Sequence, residues 1–489
     1  MRKILTANFA VRASLLATCA KRSLTVAAVV AWIPLAQAAQ IITVGPNVNV
    51  SQMLGNQSET SIAINRVNTD LITIGANNLG PGSDLFLRYS NNGGTTWNTS
   101  SFNPTACCDT WMGADKFGNM YVSYLAGSAG FNTAIARSTD GGASYTVIGN
   151  IAGSSDHPEL AIGPGAVAGT ESIFLRDSTT GNRVISATAT GLGAASGFTT
   201  QTVGLGSGNF GSTAVGPGGR TVFTSMSPAG GVGPANMTIR YDADGTGPGG
   251  YVTQSTITTN VGGFRPIPAQ PSRTIDAQVD LEYDSSGGAF NGNLYMLYTQ
   301  AANTTTNDTN IVFRKSIDNG LTFTNELKIN DDVSTMSQFF GRLAVDQKTG
   351  WLASVWYDAR NSVSNNTVEL WGTFSFDGGL SWASNFKISD GVTSCIASTI
   401  GNDGNECGDY IALDFFDGKL VTSWADSSNS TGNNPNGRGG LDVYFSKVTV
   451  TNIAAAVPEP STWLSMIVGF GMVGAGMRRV RKTGLAKFA

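Results

Sequence analysis

The chain has 489 residues, with 30 Lys and Arg against 34 Asp and Glu, 61 Gly, five Cys and a single His. Ten of the basic residues lie within the first 22 and the last 12 positions, so the body between the two ends is strongly acidic. An acidic surface repels polyanions, so no nucleic-acid partner is expected. No Cys or His spacing resembles a zinc site, so no metal centre is expected either.

The N-terminal segment 1–38 has the pattern of a secretory signal peptide. A basic start precedes the apolar run Leu24–Leu35, and the small-residue site Ala36-Gln37-Ala38 follows. The apolar run is too short to span a membrane comfortably, so a retained anchor is the weaker interpretation. We expect cleavage after Ala38 and export across the inner membrane.

The body has the composition of an all-β protein, because short β-rich runs alternate with turn clusters and no long amphipathic helical pattern occurs. A unit of several strands recurs along it, each copy opening on a polar or aromatic residue and continuing through an aromatic-rich second strand. The copies begin near Glu59, Asp109, Glu159, Ser212, Asp276, Phe340 and Asp409.

Four of these units contain the turn pattern Ser-x-Asp/Asn-x-Gly-x-x-aromatic. Its copies are Ser90–Trp97, Ser138–Tyr145, Ser316–Phe323 and Ser375–Trp382, with Asn92, Asp140, Asp318 and Asp377 at the third position. In such a turn the side-chain oxygen bonds backbone N–H groups, while glycine takes a positive φ. These residues are therefore expected to be structural.

This pattern closely resembles the Asp-box (BNR) repeat of sialidase-like β-propellers. The resemblance implies four-stranded blades packed radially over residues 39–452. The unit count favours seven blades, with six, the number in sialidases proper, as the alternative. The spare β run Ile41–Val44 is expected to complete the last blade, which would remove an exposed sheet edge.

Four cysteines remain after the signal peptide is removed, an even number in an oxidising compartment. Cys395 and Cys407 lie twelve residues apart and are expected to close a Gly/Asn-rich loop. The adjacent Cys107 and Cys108 would then form a vicinal bridge or remain thiols.

The candidate functional residues occupy two places in the repeat, since the resemblance implies that propeller ligands bind at the channel and at the loops of one face. One set opens first strands: Glu59, Asp109, Asp156, His157, Glu159, Asp276, Asp280, Arg342 and Asp409. The other set follows second strands: Arg176, Asp177, Tyr357, Asp358, Arg360 and Asp426.

Sialidases as a family bind the substrate carboxylate with three arginines and use an Asp and a Tyr–Glu pair for catalysis. The catalytic candidates that this resemblance implies are Arg176, Arg342, Arg360, Asp358 and Asp280. The sequence departs from the family, because Phe264-Arg265-Pro266-Ile267-Pro268 only echoes the Phe-Arg-Ile-Pro signature and lies after the first boxes.

The motif Trp356–Arg360, echoed at Trp424–Asp426, supplies candidate sugar-binding residues: Tyr357, Asp358, Arg360 and Asp426. The favoured interpretation of the motif is nevertheless structural, an inter-blade Asp–Arg pair with a core Trp. No cofactor is expected, although Asp242 and Asp244 resemble the start of a calcium loop; a plain turn is the favoured alternative.

The C-terminal segment 453–489 resembles a PEP-CTERM sorting signal. Pro458-Glu459-Pro460 precedes the short apolar run Trp463–Met477, and the basic cluster Arg478–Lys482 follows. The resemblance implies a short membrane segment that holds the protein until an exosortase cleaves it, in a Gram-negative bacterium that makes extracellular polysaccharide.

These features predict a protein sorted to the cell surface or extracellular matrix, where it binds a glycan or a surface protein. The alternative function is an exo-acting glycoside hydrolase of the sialidase type.

Overall fold

The computed structural model describes residues 40–452 except 80–84, 128–131, 154–155, 178–182, 204–209, 248 and 398–404. The predicted signal peptide and the predicted sorting segment lie outside the described residues. Ile42–Val450 forms one compact unit, and the two chain ends form another, in which Gln40 Nε2 donates to Asn452 Oδ1 at 3.4 Å. The predicted all-β class is confirmed, since the regular elements of the described residues are strands and two short 3-10 turns. Within that part of the chain no helix is long and apolar enough to cross a membrane.

The first half of the chain folds into antiparallel sheets that follow one another in sequence. Two early strands join the last sheet: β1 (Gln40–Val44) and β2 (Val48–Asn49). Sheet 1 contains β3 (Gln57–Ile64), β4 (Ile72–Asn78), β5 (Leu85–Ser90) and β6 (Asn98–Thr99). Sheet 2 contains β7 (Ala106–Ala114), β8 (Met120–Ala126), β9 (Asn132–Ser138) and β10 (Thr146–Ala152). Sheet 3 contains β11 (Leu160–Pro164), β12 (Glu171–Asp177), β13 (Arg183–Gly191), β14 (Ala194–Ala195) and β15 (Thr199–Thr202). Sheet 4 contains β16 (Thr213–Val215), β17 (Thr221–Ser227), β18 (Ala235–Asp242) and β19 (Val252–Thr259), with a 3-10 turn at Pro217–Gly219.

The second half repeats this arrangement after one insertion. A two-stranded hairpin contains β20 (Arg265–Ile267) and β21 (Gln270–Ile275). Sheet 5 contains β22 (Asp280–Tyr283), β23 (Leu294–Ala301), β24 (Thr309–Ser316) and β25 (Leu327–Lys328). Sheet 6 contains β26 (Gln338–Val345), β27 (Leu352–Asp358), β28 (Glu369–Ser375) and β29 (Phe386–Lys387). Sheet 7 contains β30 (Ala412–Phe416), β31 (Lys419–Asp426) and β32 (Asp442–Asn452), preceded by a 3-10 turn at Cys395–Ala397. β1 and β2 pair with β32.

The first strand of each sheet contacts the first strand of the next. These contacts run through β3, β7, β11, β16, β22, β26 and β30, and β30 in turn contacts β3. All residues of β3 and β26 are buried, although they include charged side chains such as Glu59 and Arg342. These two strands are therefore enclosed by their neighbours, whereas most of β11 is only partly buried.

Each of the four predicted turns connects the third and fourth strands of its sheet, and Asp318 shows how it is closed. The Thr322 amide and the Ser316 hydroxyl donate to Asp318 Oδ1 at 2.9 and 2.7 Å, while Ser316 Oγ accepts from Gly320 N at 2.9 Å. Partial burial opposes ionisation, but these hydrogen bonds outweigh it and hold the pKa of Asp318 below its ordinary value.

The turns also pack each sheet against the one before it. Gly94 has φ +87°, and a Cβ added there would lie 2.3 Å from the Phe445 ring of sheet 7; one added at Gly379, with φ +78°, would lie 2.4 Å from the Phe313 ring of sheet 5. Trp97 packs edge-on against the same Phe445 at 5.1 Å. Glycine is therefore required for both backbone conformation and space.

Candidate functional site

Three polar residues with a left-handed backbone conformation lie in or just before the first strands of sheets 1, 2 and 3. Glu59, Asp109 and His157 have φ of +55°, +59° and +51°. In sheets 1 and 2 this residue lies in a β-bulge, where the register shifts between Ser58 and Ser61 and between Cys108 and Trp111. Non-glycine residues rarely adopt this conformation, and such strain concentrates where a side chain must be re-aimed.

Glu59, Asp109 and His157 belong to a larger group of mostly charged side chains. We call this group the mouth cluster, and its members are Glu59, Asp109, Asp156, His157, Arg273, Asp276, Asp409 and Tyr410. Arg273 Nη2 lies 3.1 Å from Glu59 Oε1, and Arg273 Nε donates to Asp409 Oδ1 at 2.8 Å. His157 Nε2 lies 3.5 Å from Asp409 Oδ2 and 3.8 Å from Asp156 Oδ1. The cluster therefore joins sheets 1, 2, 3 and 7 to the inserted hairpin.

The disulfide-bonded loop positions Arg273. Cys395 is bonded to Cys407, and the carboxylate of Glu406 in this loop accepts the backbone N–H groups of Ser272 and Arg273 at 3.1 and 3.2 Å. The Cys407 amide donates to Gln270 Oε1 at 2.8 Å. The loop thus fixes the strand that presents Arg273. The other cysteines, Cys107 and Cys108, form a vicinal disulfide directly before Asp109.

Burial and neighbouring charges separate the pKa values of the cluster. Burial raises the pKa of Glu59 well above its ordinary value, with Asp409 and Asp109 adding to the effect. Burial opposes ionisation of Asp409 too, but His157 and Arg273 hold the pKa of Asp409 below its ordinary value. For His157, burial alone would lower the pKa; the hydrogen bond to Asp409 and the nearby carboxylates outweigh it and raise the pKa to about 10.

Aromatic rings form a continuous series beside these charges. Phe264 contacts Phe210 and Phe210 contacts His157, each at 5.7 Å, and Tyr410 follows at 5.4 Å from His157 and 5.1 Å from Trp111. Phe264 is 51% exposed, whereas Tyr410 is 1% exposed. The buried Tyr410 hydroxyl has no hydrogen-bond partner among the described residues. The series therefore runs from the surface into the cluster and ends on an unsatisfied polar atom.

Three members of the cluster could hold a metal ion. Asp109, Asp156 and His157 offer one ligand atom each, and these atoms all lie within 4.8 Å of one another. Two carboxylates and an imidazole suit a borderline divalent cation such as zinc or manganese. The expectation of no metal site stays a prediction.

A cavity of about 350 Å³ lies on the side of Trp111 away from the mouth cluster. It is lined by the first strands of several sheets, among them β11, β16, β22 and β26. Here Arg342 Nε lies 3.2 Å from Asp280 Oδ2, and the guanidinium lies 4.8 Å from the Trp111 ring centre. Burial raises the pKa of Glu159 to about 7, although Arg342 and Arg176 both act to lower it. The structure thus brings predicted candidates Arg176, Arg342 and Asp280 around Glu159.

The third candidate arginine is held elsewhere. Arg360 contacts Asp358 at 2.8 Å and Asp331 at 2.8 Å, and its guanidinium lies 4.1 Å from the Trp371 ring centre. All these contacts lie in sheet 6 and the turn before it. The structure therefore does not place Arg360 with Arg176 and Arg342 in one anion clamp.

Three of the four candidate sugar-binding residues are buried. Tyr357, Asp358 and Asp426 are each at most 1% exposed. Trp356 Nε1 donates to Asp358 at 2.8 Å, and the Tyr357 hydroxyl donates to Ala425 O at 2.6 Å. Trp424 donates to Asp426 in the same way. These polar groups are occupied internally, so the geometry favours the structural interpretation.

The calcium-like segment connects β18 and β19, the place that the turns occupy in other sheets. The Asp244 and Gly245 amides donate to Asp242 Oδ1 at 3.2 and 3.3 Å, and Gly249 N donates to Asp244 Oδ2 at 3.2 Å. These contacts form a turn; calcium binding here stays a prediction.

Sequence reasoning missed Arg273, Phe264 and Tyr410 as members of the site. Two of them come from the hairpin segment that interrupts the repeat between β19 and β22. Residues inserted into a repeat are a signal of function. The insertion that contains this hairpin was visible in the sequence. In the segment that only echoes the sialidase signature, Arg265 is 2% exposed and donates to the backbone carbonyl of Asn260 at 2.8 Å.

Comparisons with known proteins identify one part of the chain. Residues 456–482 match the PEP-CTERM protein-sorting motif. No curated protein matches the sequence.

Solved structures with a similar fold are distant in sequence. A protein of unknown function from Dyadobacter fermentans has 11% identity and a TM-score of 0.45, covering 84% of this chain and 99% of its own. The endosialidase of phage phi92 has 12% identity and a TM-score of 0.44, covering 85% and 70%. The α-L-arabinofuranosidase Arb93A of Fusarium graminearum has 11% identity and a TM-score of 0.41, covering 68% and 98%. With TM-scores below 0.5, these likenesses carry no conclusion about this chain's ligand or activity. What the comparisons do show is a PEP-CTERM motif, which exosortases recognise and which indicates export and surface sorting in Gram-negative bacteria.

Proposed function

We propose that the protein is displayed on the cell surface as a seven-bladed β-propeller whose mouth cluster binds an extracellular glycan. The propeller is supported by the seven sheets whose first strands contact one another in sequence and return from β30 to β3. The pairing of β1 with β32 supports closure through the last sheet. Surface display is supported by the sorting motif.

One observation supports a glycan as the ligand: the aromatic series runs alongside the carboxylates and the arginine of the mouth cluster. A sugar ring presents a face of C–H groups and a rim of hydroxyls, so it suits an exposed ring beside fixed donors and acceptors. Phe264 supplies the exposed ring, and the side chains of Arg273 and Asp156 are 37% and 52% exposed.

The charges of the cluster favour a neutral or amino sugar. Five carboxyl groups share the cluster with Arg273 and His157, and Arg176 also acts on Asp276; Arg273 already contacts Glu59 and Asp409. An anionic sugar would lose affinity to these carboxylates, and Arg360 is held in sheet 6. Among the described residues, the candidate arginines Arg176, Arg342 and Arg360 do not meet at one place, which weighs against the sialidase alternative. A surface protein remains the alternative partner.

The proposal is tested by calorimetric titration with oligosaccharides cut from the extracellular polysaccharide of the producing bacterium. Arg273→Ala and Phe264→Ala should each weaken binding at least tenfold, because each removes an exposed contact. Arg314→Ala is the matched control, since Arg314 pairs with Glu326 on sheet 5. Unchanged affinity in both mouth variants would refute the site.

A fluorogenic sialoside separates the two function classes. The proposal predicts no release of the fluorophore. Turnover that Arg342→Ala abolishes would establish the hydrolase alternative.

A further inference from the structure

The vicinal disulfide lies where β7 leaves the regular pairing of sheet 2. The register against β8 shifts on both sides of Cys108, first between Ala106 and Cys108 and again between Cys108 and Trp111. A disulfide between Cys107 and Cys108 closes a small ring through a single peptide bond, so it restricts the backbone of both residues. The bond therefore fixes the direction in which the chain enters Asp109, the next residue along the bulged strand.

Asp109 passes this direction on to the mouth cluster. It is 6% exposed, its amide donates to Asn77 Oδ1 at 2.7 Å, and its Oδ2 accepts the His157 amide at 3.2 Å. Asn77 in turn donates from Nδ2 to the carboxylate of Glu59. Asp109 thus links Glu59 of sheet 1 with His157, which lies just before sheet 3.

The two disulfides of the described residues differ in their access to a reductant. Cys107 and Cys108 are both partly exposed, whereas Cys395 and Cys407 are each 0% exposed. Thiol–disulfide exchange requires direct attack of a thiolate on a disulfide sulfur, so the exposed disulfide should react first. The vicinal bond can therefore open while the disulfide-bonded loop that positions Arg273 stays closed.

We propose that the vicinal disulfide is a redox switch of the mouth cluster and that low-molecular-weight thiols operate it. A reductant thiolate attacks one cysteine sulfur, the S–S bond breaks, and the other cysteine leaves as a thiolate. A second reductant thiol displaces the first cysteine from the mixed disulfide. The reductant leaves as its own disulfide, having given two electrons and the protons that complete both cysteine thiols.

The opened form differs from the closed form at Asp109. Its backbone is no longer restrained by the ring, so its hydrogen bonds with Asn77 and His157 open more often. Only the consequence for ligand affinity rests on the proposed glycan site.

Hydrogen-exchange mass spectrometry of the full chain tests the switch without any ligand. Dithiothreitol is titrated into the protein, and alkylation of free thiols shows which cysteines have opened. At the dose that opens only Cys107–Cys108, the amides of Asp109 and His157 should exchange about tenfold faster or more. The Thr322 amide, which donates to Asp318 in a turn of sheet 5, is the internal control and should keep its rate. Reoxidation with oxidised glutathione should restore slow exchange.

The variant Cys107→Ser/Cys108→Ser should show fast exchange at both amides without reductant and should not respond to dithiothreitol. Thermal melting establishes that it is folded, and the selectively reduced wild-type protein supplies the same test where the variant is unstable. The switch is overturned by unchanged exchange after selective opening, by opening of Cys395–Cys407 first, or by a dithiothreitol response at these amides in the serine variant.

Titration of a matrix oligosaccharide into the oxidised and reduced protein is a separate measurement. Its affinity should fall about threefold or more on reduction, because Asp109 no longer holds Glu59 and His157 in place. Equal affinity in the two states would overturn control of the mouth by the disulfide. If neither state binds the oligosaccharide, the proposed function fails, while the exchange rates still decide whether the switch exists.

Discussion

At the residue scale, the molecule separates polar groups that close turns from polar groups that meet at the mouth. Asp318 and Asp377 are saturated by hydrogen bonds from their own turns. Glu59 and His157 instead take a left-handed backbone conformation and face charges from other sheets. The first pair serves folding; the strain of the second pair closes no turn, and it supports the proposal that these residues belong to a ligand site.

Replacing Asp377 by Ala should lower the free energy of unfolding by about 1 to 2 kcal/mol, because it removes the acceptor of the Leu380 and Ser381 amides. Urea denaturation measures the loss. Asp70→Ala, an exposed aspartate outside these turns, is the control and should change stability by less than about 0.5 kcal/mol. An equal effect of both substitutions would contradict the structural role of Asp377.

Asp442 should make stability depend on pH. Burial raises its pKa to about 6, although hydrogen bonds from Asn49 and Ser51 act to lower it. A carboxyl whose pKa is raised on folding contributes stability that is complete below pH 4 and is lost as pH rises through 6. Asp442→Asn should therefore match the wild type near pH 4 and exceed it by roughly 2 to 3 kcal/mol at pH 8. A pH-independent difference in the urea-derived unfolding free energies would rule this out.

At the element scale, the mouth depends on two segments outside the regular strands of the sheets: the inserted hairpin and the disulfide-bonded loop. The hairpin supplies Arg273, and the loop supplies Glu406, which fixes the hairpin backbone. The contacts between these two segments set the position of Arg273.

Removing the loop disulfide should affect both stability and binding. The double variant Cys395→Ser/Cys407→Ser should lose about 2 to 4 kcal/mol of unfolding free energy because the unfolded chain gains freedom, and its glycan affinity should fall with the displacement of Arg273. The matched control, Cys107→Ser/Cys108→Ser, opens a bridge between adjacent residues and should lose less than about 1 kcal/mol of stability. Unaltered glycan affinity in the first variant would contradict the positioning role of the loop.

The repeat predicted the sheets because each unit carries its own strand and turn chemistry. Thr221–Ser227 was recognisable as a second strand although its unit has no intact turn pattern. The mouth cluster was only partly predictable: Glu59, Asp109, His157 and Asp409 follow the repeat, whereas Arg273 reaches them from an insertion. Such a contact depends on tertiary packing of segments far apart in sequence.

At the scale of the whole molecule, the sequence combines an all-β body with a sorting motif. The sorting motif at 456–482 indicates where the body is displayed. An acidic body suits a matrix of neutral polysaccharide. Polyanions would repel such a body and would not trap it.

The mature surface protein should lack the segment after about Pro460, because the short apolar run and its basic cluster form a removable signal. Intact-mass measurement of protein released from the outer surface checks this. Recovery of surface protein that still carries Arg478 to Ala489 would contradict removal.

The central claim is that the mouth cluster binds a glycan, and a crystal structure with a bound matrix oligosaccharide tests it most directly. The account predicts a sugar ring stacked on Phe264 and hydrogen-bonded to Arg273 or Asp156, with Tyr410 facing the innermost hydroxyl. A sugar bound elsewhere on the protein, with the mouth occupied only by solvent, would contradict it.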